Sequence, residues 1–206
     1  MKQFVEKVSD LIIDTGLVEV EVSARHVHLT QEDVEILFGE GAELHPKRPL
    51  SQPGQYLCEE RVTLIGPKGR KERVAVLGPV RKATQVELSL TDCAALGVKA
   101  PVRESGDLSG AGPIAIETDK ARLEKQGAVI VAKAHVHITP EIAARLDLEN
   151  GEHVSVRVMT ERPVTFDNVV IRVSDKFRFK MHIDFDEANA AGVSGFTLGK
   201  ILKHED

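Results

Sequence analysis

Large aromatic side chains are almost missing from this 206-residue sequence, which contains no tryptophan and only 4% aromatic residues. The core must therefore be built from aliphatic side chains, chiefly Val, Leu, Ile and Ala. Valine alternates with other residues in several short segments, such as Val18–Val22 and Val154–Val158. Alternation with a period of two is typical of β-strands that bury one face. The sequence therefore predicts a mainly β chain with short helices.

Cysteine is also scarce, since the chain has only Cys58 and Cys93, which form no CxxC pair. This excludes a cysteine-based zinc knuckle and fits a reducing compartment. No apolar run is long enough to cross a bilayer, and charged residues interrupt any signal-peptide pattern near the start. The net charge of −5 offers no basic face to nucleic acid or to a membrane surface. We therefore expect a cytoplasmic protein that binds neither, although a local cationic pocket would still admit an anionic substrate.

The chain contains an internal duplication around a His-x-His motif. The segment Val22–Leu37 aligns with Val131–Leu146, and both histidines, the following threonine and a glutamate coincide. A second block, Gln85–Asp92, aligns with Lys180–Glu187 at a different offset. The change of offset is expected if one loop has a different length in the two copies.

Each copy predicts a strand, the His-x-His motif, a short helix and several further strands. We expect two small β-barrels packed side by side, with the metal site between or beside them, because closing a barrel removes exposed strand edges. Threonine is a favourable helix N-cap, so the short helices should follow Thr30 and Thr139. The predicted boundaries are an N-terminal amphipathic helix over residues 1–16, a first barrel repeat over 17–104, a connector over 105–127 and a second barrel repeat over 128–206. Strand 17–23 can alternatively pair with the second barrel.

The histidines are arranged as metal ligands. On a strand, residues i and i+2 point to the same side, so the two histidines of each motif converge. Glu87 and His182 occupy equivalent places in the second aligned block, and each can supply a third ligand to an open site of the catalytic kind. The predicted metal ligands are His26, His28 and Glu87 in the first copy, and His135, His137 and His182 in the second. These ligand types favour Zn²⁺, with Co²⁺, Mn²⁺ or Fe²⁺ as alternatives.

A single His-x-His motif also arises by chance on an exposed strand, and this is the simplest alternative to a metal site. Two copies at matching positions, each with a third ligand, favour the metal site. The histidines without a repeat partner are interpreted as surface residues: His45, His153 and His204.

Arg81 lies six residues before Glu87 and aligns with Lys176. If the strand ran straight through both positions, the two side chains would share a face. A guanidinium there would form a pocket suited to bidentate binding of phosphate. A solvated strand charge is the alternative explanation.

Five segments carry a resemblance to a known family: Ser23–Leu29, Leu50–Tyr56, Glu59–Leu64, Gly78–Arg81 and Ala134–His137. They resemble the propanediol-utilisation type of phosphotransacylase, the phosphate propanoyltransferase family, from about Val18 onward. The resemblance implies conversion of acyl-CoA (propanoyl-CoA or a similar short acyl group) and phosphate into acyl phosphate and CoA. It also implies two zinc ions, one on each set of predicted ligands. Arg81 matches the family's phosphate-binding arginine and Ser105 matches a motif near the active site, so both are predicted catalytic residues.

The resemblance further implies direct attack of phosphate on the acyl carbon at a two-zinc site. Neither cysteine has the basic setting of an activated nucleophile, so no covalent acyl-enzyme is expected. Many members work inside bacterial microcompartments. Residues 1–16 are therefore a candidate targeting peptide that contacts shell or lumen proteins, or simply a helix packed on the barrel. We also expect a homo-oligomer.

Two other functions remain open. A binuclear metallohydrolase that cleaves a phosphoester or thioester would have a similar set of metal ligands. A non-catalytic duplicated barrel with structural metals is the third reading, although structural sites normally have four protein ligands and each copy offers three.

Overall fold

The computed structural model describes residues 2–202. Residue 1 of the predicted N-terminal helix and residues 203–206 of the predicted second repeat lie outside the described residues. The backbone contacts divide the chain into two compact units. We call Ala24–Lys133 the first-copy unit, and Met1–Ser23 together with Ala134–Asp206 the second-copy unit.

Strands dominate both units, as predicted, and the helices are short. In chain order the elements are α1 (Lys2–Asp14), β1 (Leu17–Val22), β2 (His26–His28), α2 (Gln31–Phe38), β3 (Pro46–Pro49), β4 (Tyr56–Ile65), β5 (Arg70–Gly78), β6 (Gln85–Glu87), α3 (Leu90–Leu96), β7 (Val102–Arg103), β8 (Gly112–Glu117), β9 (Arg122–Ala132), β10 (His135–Ile138), α4 (Pro140–Leu146), β11 (His153–Val158), β12 (Val164–Val173), β13 (Lys180–Ile183), α5 (Phe185–Ala190) and β14 (Leu198–Leu202). No helix within residues 2–202 combines the length and the apolar character that crossing a bilayer requires.

The second-copy unit contains a closed barrel with the strand order β1-β13-β10-β12-β11-β14. β1 runs parallel to β13 and antiparallel to β14, so the strand predicted over residues 17–23 completes this barrel. Its core consists of alternating aliphatic side chains from all six strands, with Val18, Val136 and Met181 almost completely buried. The valine alternation in the sequence therefore corresponds to the inward-facing positions of a barrel.

The first-copy unit closes in the same way, because its pairings β4-β5-β2-β6-β9-β8 return from β8 to β4. The connector predicted over residues 105–127 is wrong for most of its length, since β8 and the start of β9 lie there. The Gly/Ser-rich stretch forms the loop before β8 and ends at Gly112, the first residue of that strand. Ile114 and Ile116 of β8 are buried in the core, and this strand joins β4 to β9.

The helix starts agree with the capping pattern of the sequence. The Thr30 side chain accepts a hydrogen bond from the Asp33 backbone N–H at the start of α2. Thr139 caps α4 in the same way, with Pro140 at the first helical position. α4 also holds the N-terminal helix, because Arg145 makes ion pairs with Asp10 and Asp14 at 3.0 and 2.7 Å.

Candidate metal centre

The two His-x-His strands occupy the same position in their barrels. β2 lies between parallel β5 and antiparallel β6, and its register places His26 opposite Glu87. β10 lies between parallel β12 and antiparallel β13, with His135 opposite His182. The cross-strand partner of the first histidine is therefore the predicted third ligand in both copies.

The structure brings together the members of both predicted ligand sets. We call His26, His28 and Glu87 the first triad, and His135, His137 and His182 the second triad. All six side chains are buried, and the candidate ligand atoms of each triad lie within 4.8 Å of one another. This geometry lets each triad hold one metal ion through three protein ligands, which leaves room for another ligand.

Hydrogen bonds orient the imidazoles of the first triad. His26 Nδ1 lies 2.8 Å from the Ala24 carbonyl oxygen, which can only accept, so Nδ1 carries the proton. The Nε2 lone pair then faces Glu87, whose Oε2 lies 3.4 Å away. His28 Nδ1 is buried and makes no well-formed hydrogen bond within residues 2–202, although the Leu77 backbone weakly raises the pKa of this imidazole. Because buried polar atoms are nearly always satisfied, this orphaned nitrogen fits a metal ligand.

The protonation states of the first triad also fit metal binding. Burial lowers the pKa of His28 to about 2, with smaller contributions from His26 and Arg81, and so keeps the imidazole neutral. Burial alone would raise the pKa of Glu87, but the charge and hydrogen bond of His26 outweigh burial and lower it. The same interaction raises the pKa of His26 against the opposing effect of burial. The triad therefore presents an ionised carboxylate, which also stabilises a proton on His26, and metal binding at Nε2 would displace that proton.

In the second triad the rings of His135 and His182 are stacked, and the His137 ring is tilted against both. The ring centroids of His135 and His182 are 5.2 Å apart, and His137 lies 4.6 and 4.8 Å from them. Phe177 stacks on His137 with a centroid distance of 3.9 Å, and the Arg172 guanidinium carbon lies 6.0 Å from the Phe177 centroid. The second triad is therefore lined by an aromatic ring on one side.

Arg81 lies beside the first triad, although not for the reason that the sequence suggested. It belongs to the loop between β5 and β6 and not to a straight strand, so the shared-face argument is wrong. Its backbone N–H donates to the Leu29 carbonyl at 2.8 Å, and its guanidinium Nη1 donates to Ser105 Oγ at 3.3 Å. The charge of Arg81 also contributes to lowering the pKa of His28. The aligned Lys176 is exposed in a turn.

Ser105 connects Arg81 to the first triad, because its hydroxyl donates to Glu87 Oε1 at 2.7 Å. Sequence reasoning missed Gln85, which is buried and donates to the same carboxylate oxygen at 2.6 Å. The alternation of β6 places Gln85 on the same face as Glu87, so this signal was available. It was overlooked because a glutamine is not a metal ligand type. His45 and His153 are exposed, as interpreted, and His204 lies outside the described residues.

Comparison with known proteins identifies the family. The profile of the phosphate propanoyltransferase family matches residues 19–194. The chain belongs to this family. A phosphate propanoyltransferase of Clostridioides difficile is 52% identical over 203 residues, which cover 98% of this chain and 97% of that protein. Proteins of the same name from Leptotrichia buccalis and Listeria monocytogenes are 53% and 50% identical, over 89% and 93% of this chain and 87% and 90% of their own lengths. The family resemblance of the sequence is thereby confirmed.

Proposed function

We propose that the protein is a phosphate acyltransferase that interconverts an acyl-CoA and phosphate with an acyl phosphate and CoA. Family membership and the names of the relatives support the reaction class, with a propanoyl group as the acyl substrate. The observation that carries the proposal is the position of Arg81 and Ser105 beside the first triad. A metal-ligand set, a guanidinium and a hydroxyl are together suited to bind a phosphate dianion.

We propose Zn²⁺ as the metal, with one ion on each triad. Two imidazoles and a carboxylate, or three imidazoles, are ligand sets typical of catalytic zinc sites. A bound zinc ion would supply a Lewis acid and a favourable ligand position for a thiolate sulfur. The orphaned Nδ1 of His28 supports this assignment in the first triad.

The residues around the first triad would bind and aim the phosphate. The planar guanidinium of Arg81 matches two phosphate oxygens and offsets part of their repulsion from the phosphates of CoA. Ser105 holds Arg81 and Glu87 in fixed relation through its hydroxyl. A phosphate held in this way needs little reorganisation before it attacks.

We propose that phosphate attacks the acyl carbon directly. A C–O bond to phosphate forms, the C–S bond breaks, and the electron pair leaves with the CoA sulfur. Both cysteines are buried, and burial raises the pKa of the Cys58 thiol to about 12. Cys58 is therefore protonated and cannot serve as a nucleophile that carries the acyl group.

One surface of α1 is apolar and exposed, since Leu11 and Ile12 are 66% and 43% exposed. We propose that this apolar face contacts another protein, either a microcompartment component or a second copy of the chain. Light scattering of the chain with and without Leu11→Ser and Ile12→Ser would show whether the face supports a homo-oligomer. An unchanged mass would remove the second copy as its partner.

The deciding experiment is an assay of the purified protein with propanoyl-CoA, with and without phosphate. We expect release of the CoA thiol only when phosphate is present, together with acyl phosphate in equal amount. Metal analysis of the same sample should give about two zinc ions per chain, one for each set of three ligands. Thiol release that does not need phosphate would favour the metallohydrolase instead.

A further inference from the structure

We infer that Gln85 is a positioning residue that determines which carboxylate oxygen of Glu87 faces the metal ion. The inference rests on the proposed zinc site at the first triad. It concerns a side chain that neither binds the metal nor belongs to the predicted site. The hydrogen bonds around its buried amide carry the argument.

The orientation of the Gln85 amide is fixed by the backbone of the following loop. The Gly106 N–H donates to Gln85 Oε1 at 2.8 Å, and because an N–H cannot accept, this end of the amide must be the oxygen. The amide nitrogen therefore points the other way. It donates to Glu87 Oε1 at 2.6 Å and to Ser105 Oγ at 3.0 Å.

The two oxygens of Glu87 are thereby given different roles. Oε1 accepts hydrogen bonds from Gln85 and from the Ser105 hydroxyl, at 2.6 and 2.7 Å. Oε2 faces His26 Nε2 at 3.4 Å. With Oε1 anchored by two donors, Oε2 is the oxygen presented to the metal, and the carboxylate should bind through this atom alone. Such outer hydrogen bonds orient metal ligands and tune their affinity.

The Ser105 hydroxyl uses all of its hydrogen-bonding positions in this network. Its hydroxyl donates its only hydrogen to Glu87, and its lone pairs accept from Gln85 and Arg81. A hydroxyl offers one donor and two acceptor positions, so all three are used. Gln85 is therefore needed to hold both the carboxylate and the serine that contacts the predicted phosphate-binding arginine.

The second copy provides a natural control. Lys180 aligns with Gln85, but its ammonium group forms ion pairs with Glu19 and Glu21 at 2.6 and 3.5 Å. The third ligand there is His182, which has no second carboxylate oxygen to restrain. A supporting amide is therefore found in the copy whose third ligand is a carboxylate.

The test uses Gln85→Met, which keeps the length of the side chain, and Gln85→Glu, which keeps an acceptor for Gly106 but removes the donors. Lys180→Met is the matched control. Chelator competition with Zn²⁺ should show one of two sites weakened about 10- to 100-fold in both Gln85 variants, and neither site weakened in the control. Circular dichroism and thermal melting establish that the variants are folded.

A spectroscopic measurement separates positioning from general loosening of the fold. With Co²⁺ in place of zinc, release of Oε1 should let both carboxylate oxygens bind. The visible absorption of that one site should then weaken, as expected for a higher coordination number. Unchanged affinity and an unchanged Co²⁺ spectrum in the folded Gln85 variants would overturn the inference and leave the proposed metal centre intact. A wild-type protein that binds no metal would instead overturn the proposed centre, and the inference with it.

Discussion

The two copies share a metal-binding strand but surround it with different side chains. In the first-copy unit, the triad is bordered by polar groups: Gln85, Ser105 and Arg81. In the second-copy unit, Phe177 stacks on the triad. Duplication has kept the backbone register that brings three ligands together, while the neighbouring side chains have diverged. The first triad is therefore the better candidate for binding an anion, and the second has a more apolar setting.

The helices that follow the third ligand show the same divergence. Asp92 and Glu187 hold equivalent positions in α3 and α5. Asp92 pairs with Arg25 at 2.7 Å and Lys71 at 3.1 Å, and these contacts outweigh burial and lower its pKa. Burial raises the pKa of Glu187 to about 7. Ala134 aligns with Arg25, so the second copy lacks the cation that would stabilise the charged form.

The largest effect is expected from removing the histidine pair of one copy. His26→Ala combined with His28→Ala should abolish activity and leave roughly one zinc ion per chain, because each triad is built from its own strands. His135→Ala combined with His137→Ala is the matched variant and should also leave one ion. Metal analysis checks both. If either double variant keeps both ions or loses both, the two copies are not independent metal sites.

A smaller but still large effect is expected at Arg81. Arg81→Lys keeps the charge but loses the planar fork, so kcat/KM for phosphate should fall about 100-fold, with zinc content and melting temperature nearly unchanged. Steady-state kinetics at saturating acyl-CoA, with phosphate varied, measures this. Lys176→Ala, at the aligned and exposed position of the second copy, should have wild-type kinetics. If Arg81→Lys has the wild-type kcat/KM for phosphate, the proposal that the first copy binds the anion through Arg81 is wrong.

Exchange of the third ligand gives an intermediate effect on metal content. Glu87→His should retain more zinc than Glu87→Ala, because the register of β6 against β2 matches that of β13 against β10. The exchange changes the charge of the site, so its affinity for phosphate should change as well. Zinc titration compares the zinc affinity of the two variants. Equal loss of zinc in both would mean that the copies share a backbone register but cannot exchange their third ligands.

The smallest effect concerns the pH dependence of stability. The pKa of Glu187 is raised to about 7 in the folded state, so the folded state binds this proton more tightly than the unfolded state does. The free energy of unfolding therefore falls as the pH rises from about 4.5 to 7. Glu187→Gln should match the wild type near pH 4 and be more stable at pH 8 by about 3 kcal/mol. The pKa of Asp92 is lowered, so Asp92→Asn should have the opposite sign and destabilise the protein at pH 8. Denaturant unfolding at the two pH values measures the free energy of unfolding of each variant. Changes of the same sign in both variants would contradict the opposite pKa shifts of Glu187 and Asp92.

Local patterns in the sequence predicted the features that depend on local geometry. The period of two placed both histidines of each motif on one face, and the repeat identified Glu87 and His182 as their neighbours. Thr30 and Thr139 marked helix starts because capping involves only the next few residues. These are properties of a strand or a helix turn, and they do not need the rest of the chain.

The features that the sequence did not predict depend on distant pairing. β8 follows a Gly/Ser-rich loop, and its place in the barrel depends on pairing with both β4 and β9. Arg81 lies in the loop between β5 and β6, and the conformation of a loop cannot be predicted from hydrophobic periodicity. Gln85 acquires its role from the Gly106 backbone N–H, which arrives from a different part of the chain.

The pairing of β1 has a consequence for the order in which the protein folds during synthesis. β1 is synthesised before the other strands, yet its partners are β13 and β14, with Val20 beside Met181 and Leu17 beside Lys200. The strands of the first-copy unit are contiguous in sequence, so they can pair as soon as they emerge. β1 must wait until nearly the whole chain has been made, and until then its hydrogen-bonding edges remain open to other chains. β1 should therefore stay unpaired in the nascent chain until β13 and β14 have been made.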